Sequence, residues 1–535
     1  MKDKIIKLIP DAVIEQAQYP TVTVPVERFR HLALMLKNEE GFDYLISLIG
    51  MDWGETLGVV YYVARSEKPE DIWALKTSTA DREKPMLYTV SDIWKTADLN
   101  EREIYAMLGI KFINHHDMRR LYLSQDWKGF PLRKDYDNTA NKLSLKSCEM
   151  SDEVTCIQET ENGIVEKKYD FFEKNDYVVN IGPQHPATHG VLHFRTSLDG
   201  EIIKKLDPTL GYIHRGVEKM CEGLTYPQTL HLTDRLDYLA AHTNRHALCM
   251  TIEKAIQTEV PERAVYIRTI MDELQRVASH LLAWACLCMD MGALTAFIYG
   301  MREREKIIDI FDKSCGGRLI MNYNVIGGVV QDIHPDFQKD VKAFIPLMRK
   351  MLKEYHIQYT GNVIARDRMI GVGLLSKEDA ISFAVTGPAG RASGFSCDVR
   401  KYMPYAAYDK VNFKEIIHHN GDNYDRYIAR LEEIEESLHI IEQLIDNIPS
   451  GDFLTKQKPI IRLPEGEFFS MVEAPRGAFA VYIASKGDKT PYRVKFRSPS
   501  LALVSAMDTI SRNEKLGDFI AIGGSMDYVV PCIDR

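Results

Sequence analysis

The sequence predicts an α+β protein: a small α/β domain first, then a mainly helical bundle domain with flanking β units. Three observations carry that prediction. Tyr424, Tyr427, Ile428, Leu431, Ile434, Leu438, Ile441 and Ile445 recur at steps of three and four, which lays one apolar stripe along a helix. Weaker patterns of the same period cover 244–258, 262–289 and 336–355. The runs 176–181 and 191–198 instead read as strands, joined by Gly182-Pro-Gln-His-Pro-Ala-Thr-His-Gly190 and followed by Asp199-Gly200, a dipeptide that favours a two-residue hairpin turn.

Taken in order, residues 1–138 hold an amphipathic helix near Glu27–Leu36, an apolar run at Phe42–Ile49 and a β-rich stretch at Gly58–Val63. They continue through Trp94–Tyr105 and Gly109–Phe112 to Trp127-Lys-Gly-Phe-Pro-Leu-Arg-Lys134, and Glu101, Arg102 and Glu103 are expected to form an exposed, salt-bridged helix start. Residues 139–172 are polar, rich in Ser, Glu and Lys, without a sustained hydrophobic period, and are expected to be a linker or tether. Residues 173–535 form the second domain. In its loop, Pro183 and Pro186 fix φ while Gly182 and Gly190 supply hinges, so that His185 and His189 are presented on a stiffened support. Pro449 and Gly451 stop the helix over 424–445, and Glu432, Glu433, Glu435 and Glu436 are expected on its solvated face.

Residues 277–301 are apolar enough in length to span a bilayer. Asp290 lies near the middle, where an ionised carboxylate costs roughly 2.5–3.5 kcal/mol. A single buried helix is therefore expected, and no membrane span. At 535 residues the chain exceeds one core. Its net charge of -9 argues against nucleic acid as a partner. The first residues carry no secretory pattern. Nine cysteines occur without a CxxC pair, and Cys286 and Cys288 point to different sides of a helix, so no structural metal or iron–sulfur centre is expected on this chain.

The 182–190 loop resembles the quinone-site hairpin of the 49-kDa-type subunit of respiratory complex I, the proton-pumping NADH:quinone oxidoreductase. The resemblance continues through Gly211–Lys219, Arg235-Leu-Asp-Tyr238, Glu273–Leu281, Asn322–Val329, Asp398–Lys401, Pro475-Arg-Gly477, Pro491–Lys495 and Asp534-Arg535. Residues 1–138 resemble the 30-kDa-type subunit, chiefly in Glu101-Arg-Glu103 and Gly129-Phe-Pro-Leu-Arg-Lys134. The two subunits, separate in many organisms, are fused here, which raises their effective concentration for each other. The resemblance implies a peripheral-arm subunit on the cytoplasmic face of the bacterial membrane. Its partners would be other complex I subunits, chiefly the one carrying the terminal iron–sulfur cluster, and the membrane arm. Quinone would be the substrate, with no cofactor on the chain itself. It also implies a second-domain fold like that of nickel–iron hydrogenase large subunits.

Quinone reduction takes two electrons and two protons, and the protons need donors within hydrogen-bond reach of the carbonyl oxygens. Histidine, with an ordinary pKa of about 6.5, and tyrosine, about 10, both qualify. The resemblance assigns headgroup binding to His189 and Tyr238 and support of His189 to Asp290. It places Arg235 beside the partner's cluster, where a cation favours the reduced state. Many family members carry a histidine near that cluster where this chain has Ile320. No flavin or dinucleotide fingerprint is present, so the donor, whether NADH, ferredoxin or deazaflavin, docks elsewhere. Two alternatives are weighed against this reading. A hydrogenase would need thiolates where this chain has Asp237, Ala240, Val529 and Cys532, and one thiol of four cannot hold its metal pair. A structural subunit with a decayed pocket is opposed by the joint retention of His189, Tyr238 and Asp290.

Overall fold

The computed structural model describes residues 2–137 and 151–535. It is a mixed helix-and-sheet protein, as the α+β expectation requires. The N-terminal part is built on a five-stranded sheet of Val13–Gln16, Pro20–Thr23, Lys68–Thr79, Leu57–Arg65 and Tyr44–Asp52, in that spatial order. All neighbours are antiparallel except Pro20–Thr23 and Lys68–Thr79, which run parallel.

The strand Tyr44–Asp52 is apolar without alternation because both faces of the sheet are covered. Leu45, Leu48, Tyr61 and Val63 pack on helices Val26–Glu40 and Ala97–Leu108 through Phe29, Leu32 and Ile104. Ile46, Ile49 and Tyr62, on the other face, share a core with the sheet Gly466–Ala474, Gly477–Ser485 and Arg493–Arg497. Tyr62 stacks on Phe469 at 4.3 Å between ring centroids. The two parts of the chain are thus joined by a common core as well as by a covalent connection.

Glu101, Arg102 and Glu103 are buried, which corrects the expected exposed helix start. The physical reason is a set of distant partners that local sequence does not reveal. Arg102 pairs with Asp117 at 3.2 Å. Glu101 accepts from the Thr89 hydroxyl and, at 2.9 Å, from the Val90 N–H, and burial pushes its carboxyl up to about 7. Glu103 crosses to the second part of the chain, pairing with Lys495 and, at 2.6 Å, with Arg535. Glu218 pairs there with Arg493 at 2.7 Å and also approaches Lys495 and Arg535.

The expected linker is partly folded. Residues 138–150 lie outside the described residues, but Glu153–Thr160 and Gly163–Asp170 form an antiparallel hairpin. It docks on residues 114–118 through backbone bonds from Asn114 to Ile157 and from Met118 to Thr155.

The second part holds helices Ala241–Ile256, Glu262–Asp290, Leu294–Cys315, Phe337–Tyr355 and Asn423–Ile445, close to the periodic segments. Two details differ from expectation. The apolar run 277–301 is two helices, broken at residues 291–293 where Gly292 takes φ +91°, and Gly300 packs back against Leu281, Trp284 and Ala285. Glu433 is buried against Arg391 (2.7 Å) and His280 (3.0 Å), and so does not belong to a solvated face with Glu432, Glu435 and Glu436. Among the described residues no helix is long and apolar enough to cross a membrane.

Candidate functional site

The loop singled out in the sequence is the tip of a β-hairpin. Tyr177–Ile181 pairs antiparallel with His193–Asp199, Gln184 and His185 pair with Val191 and Gly190, and a 3₁₀ turn, Pro186–Thr188, closes the tip. Thr188 is buried, with its hydroxyl 2.8 Å from the carbonyl oxygens of both His185 and Gly190, which pins the tip to its own stem. His193–Asp199 continues into Ile202–Thr209 through the turn at Gly200-Glu201. A β-carbon at Gly190 would lie 2.6 Å from Val530, so glycine is what lets the tip rest on the helix Val530–Asp534.

His189 sits in the left-handed region, φ +50°, and turns its ring toward the end of helix Glu262–Asp290. Its Nε2 lies 2.6 Å from Asp290 Oδ2. Asp290 is the last residue of that helix, where the dipole disfavours an anion, so a cationic partner offsets an unfavourable placement. Burial pulls the His189 pKa down, but the hydrogen bond and charge of Asp290, helped by Asp527, outweigh it and leave the pKa above the usual value. With Nε2 engaged, Nδ1 is the ring nitrogen that can meet a ligand. The side chain is 22% exposed, so the site is reachable.

Tyr238 follows the short helix Tyr226–Thr233 and packs with Leu239, Leu282, Val529 and Cys532. Burial, then the neighbouring Asp237 carboxylate, raises its pKa, which keeps the phenol a neutral donor. Both His189 and Tyr238 therefore rest on one short segment: Val530 supports the hairpin tip and Val529 with Cys532 supports the tyrosine. His185, the loop's other histidine, lines a cleft of about 510 Å³ with Val179, Leu516 and Phe519.

Arg235 is exposed, and its guanidinium donates to the His231 carbonyl; Arg215, also exposed, donates to the Arg235 carbonyl at 3.4 Å. Neither arginine has a carboxylate within ion-pairing distance among the described residues. Ile320 is half-buried beyond helix Leu294–Cys315.

Sequence reasoning missed the buried ions beneath the site. Arg476 donates to the Asp527 carbonyl (2.8 Å) and carboxylate (3.2 Å), to Asp237 (3.0 Å) and to Ser279 (3.1 Å). These partners are far apart in sequence, and the only local hint is a charged residue at each of positions 237, 476 and 527. Cys286 and Cys288 do diverge: Cys286 neighbours Asp527 and Asp290, whereas Cys288 neighbours Tyr359.

Two groupings bear on metals. Asp98, His115 and His116 bring ligand-type atoms within 4.8 Å of one another. His115 Nδ1, however, accepts from the Asp117 N–H at 3.0 Å, so the proton sits on Nε2, 3.2 Å from Asp98, and the ring is a hydrogen-bond donor there rather than a ligand. Of the four positions weighed for nickel, only Cys532 is a thiol; it shares a 2.9 Å bond with Ser498, and burial pushes its pKa up to about 11, the reverse of what a thiolate ligand needs.

Comparison with known proteins agrees with the sequence resemblance. The family described as respiratory-chain NADH dehydrogenase, 49 Kd subunit, matches residues 290–462 and 456–535, and the 30 Kd subunit family matches 22–142. The chain is 61% identical over 516 residues to the C/D subunit of NADH-quinone oxidoreductase from Phocaeicola vulgatus, covering 96% of this chain and 99% of that one. It is 59% identical to the C/D subunit of the same enzyme from Bacteroides fragilis, covering 94% and 97%. The corresponding D subunit from Bacillus mycoides, 44% identical, aligns with 67% of this chain and is itself covered over 98% of its length. The chain belongs to the family of fused 30-kDa and 49-kDa subunits of respiratory-chain NADH dehydrogenase.

Proposed function

We propose that this chain supplies the headgroup end of the quinone-reduction pocket in a proton-pumping NADH:quinone oxidoreductase. His189 and Tyr238 would be the two proton donors and Asp290 the positioning residue for His189. The observation that carries the reading is the 2.6 Å His189–Asp290 contact at the tip of a braced hairpin, with one imidazole nitrogen and the Tyr238 phenol left to face a ligand. A reduced quinone oxygen takes one proton from His189 Nδ1 and the other oxygen takes one from Tyr238. Asp290 favours the protonated imidazole before transfer and holds the ring's orientation after it.

Electrons would come from an iron–sulfur cluster held by a neighbouring subunit. The exposed, carboxylate-free Arg215 and Arg235 support an approach of that subunit on their face, because cations there favour an electron-rich group. The complex would be a hetero-oligomer, with this chain peripheral on the cytoplasmic side of the bacterial membrane and the membrane arm as a further partner. We read residues 1–138 and 173–535 as the two ancestral subunits, with the segment between them carrying the docked hairpin. Two of the positions where a hydrogenase would carry thiolates, Asp237 and Cys532, lie near Arg476, but the donor set does not fit a nickel–iron centre. A decayed pocket is disfavoured by the intact His189–Asp290 pair.

The test is Tyr238→Phe in the assembled complex. It keeps the ring and removes one donor, so quinone reduction should fall by roughly 100-fold, within the range for one general acid. NADH oxidation by an artificial acceptor that does not use the quinone site should persist. Wild-type quinone reduction in this variant would refute the assignment.

A further inference from the structure

Arg476 has an unusual setting. Pro475 and Arg476 form the two-residue turn between Gly466–Ala474 and Gly477–Ser485, since Ala474 pairs directly with Gly477. Turn tips ordinarily face water. This one is buried: a β-carbon at Gly387 would meet the Arg476 backbone at 2.5 Å, and the Arg476 side chain is fully covered. A guanidinium kept out of water requires its own pairing to offset the loss of hydration.

Its four hydrogen bonds reach three separate segments, and each segment carries one part of the site. Asp237 immediately precedes Tyr238. Its second oxygen, Oδ1, accepts from the Leu239 N–H at 3.0 Å, so one carboxylate grips the backbone beyond the tyrosine while Arg476 grips the carboxylate. Asp527, in the left-handed conformation at φ +56°, ends helix Leu516–Met526 and opens the segment whose Val529, Val530 and Cys532 seat both donors. Ser279 lies on the helix that ends in Asp290. The guanidinium's planar fork suits this several-way clamp; an ammonium is a single point charge.

We propose that Arg476 is a positioning residue for quinone reduction, acting through Asp237 to set the Tyr238 phenol and through Asp527 to set the segment on which Tyr238 and the His189 tip rest. The proposal rests on the quinone-site reading above. Arg476 lies beneath the donors and need not touch quinone. Losing its geometry should misplace a proton donor in the transition state more than it weakens ground-state binding.

The experiment is a double-mutant cycle in the assembled complex, using Arg476→Lys, Tyr238→Phe and the pair. Arg476→Lys keeps the charge and loses the fork. Its turnover number should fall roughly 10- to 100-fold, the scale of a misplaced catalytic group, with the quinone KM changed by less than about threefold. The double variant should lose clearly less than the product of the two single losses, because the Tyr238 share of the clamp's work is already gone while its support of the His189 tip remains. If Arg476→Lys fails to assemble, Asp237→Asn, which leaves the guanidinium on Asp527, takes its place in the same cycle. Wild-type turnover in the positioning variant, or losses that multiply in the double variant, would overturn the proposal. If Tyr238→Phe itself is at wild-type rate, it is the quinone-site reading that fails instead.

Discussion

The ion cluster between the two parts of the chain and the candidate site use the same residue types to opposite ends. Around Glu103 and Glu218, both carboxylates and all of Arg493, Lys495 and Arg535 find opposite charges, and Arg535 also meets the Tyr122 hydroxyl at 3.1 Å. At the site, His189 engages one nitrogen and Tyr238 is held by apolar packing. A buried polar group without a partner is costly, so spare hydrogen-bonding capacity is favoured where solvent or a ligand can reach it. The saturated cluster therefore fastens the fold, and the unsaturated one keeps groups over for the chemistry proposed above.

That contrast predicts a descending order of effects on stability. The largest belongs to Glu103→Ala, which leaves Lys495 and Arg535 sharing Glu218 in a buried interior. Removing one partner of a buried ion pair costs about 3–5 kcal/mol, and thermal unfolding or loss of assembly would register it. An unchanged unfolding temperature would break the comparison.

Asp290→Asn should come next, at about 1–3 kcal/mol for a charge-assisted bond, and only at low pH. The sign follows from His189, whose folded pKa is raised. The stabilisation is fully present below the unfolded value of about 6.5 and is lost as pH rises through the folded value. Denaturation of wild type and variant should therefore converge on the alkaline side. The same substitution lowers the His189 pKa, so the alkaline limb of quinone reduction should move to lower pH. A variant whose limb stays in place would uncouple Asp290 from the proton donor.

Tyr238→Phe should be the smallest, within about 0.5 kcal/mol, because the ring's apolar packing is kept. It is also the variant expected to lose most quinone reduction. Stability and activity effects running in opposite orders would sharpen the distinction between the two regions.

Much of this is legible in the sequence where the signal is local. The stripe from Tyr424 to Ile445 is a helix over Asn423–Ile445, and the Pro- and Gly-bounded loop is a hairpin tip carrying His189. Asp290, suspect as a lone carboxylate in an apolar run, has the partner that burial demands. The hairpin Glu153–Asp170 escapes pattern reading although Asn162-Gly163 marks its turn, because the flanking strands are polar. The helix break at Gly292 is likewise signalled only by that glycine and the Asp290 just before it. The burial of Glu103, Glu433 and Arg476 is beyond local reading. Their partners lie 392, 153 and 239 positions away, for example at Lys495, His280 and Asp237, and periodicity holds no information at that range.

The central claim is that His189 and Tyr238 face the same quinone headgroup. The most direct measurement is a structure of the assembled complex with a short-chain quinone bound. The account predicts one carbonyl oxygen within about 2.6–3.2 Å of His189 Nδ1 and the other at the same range from the Tyr238 hydroxyl. An ordered headgroup that touches neither side chain would contradict it.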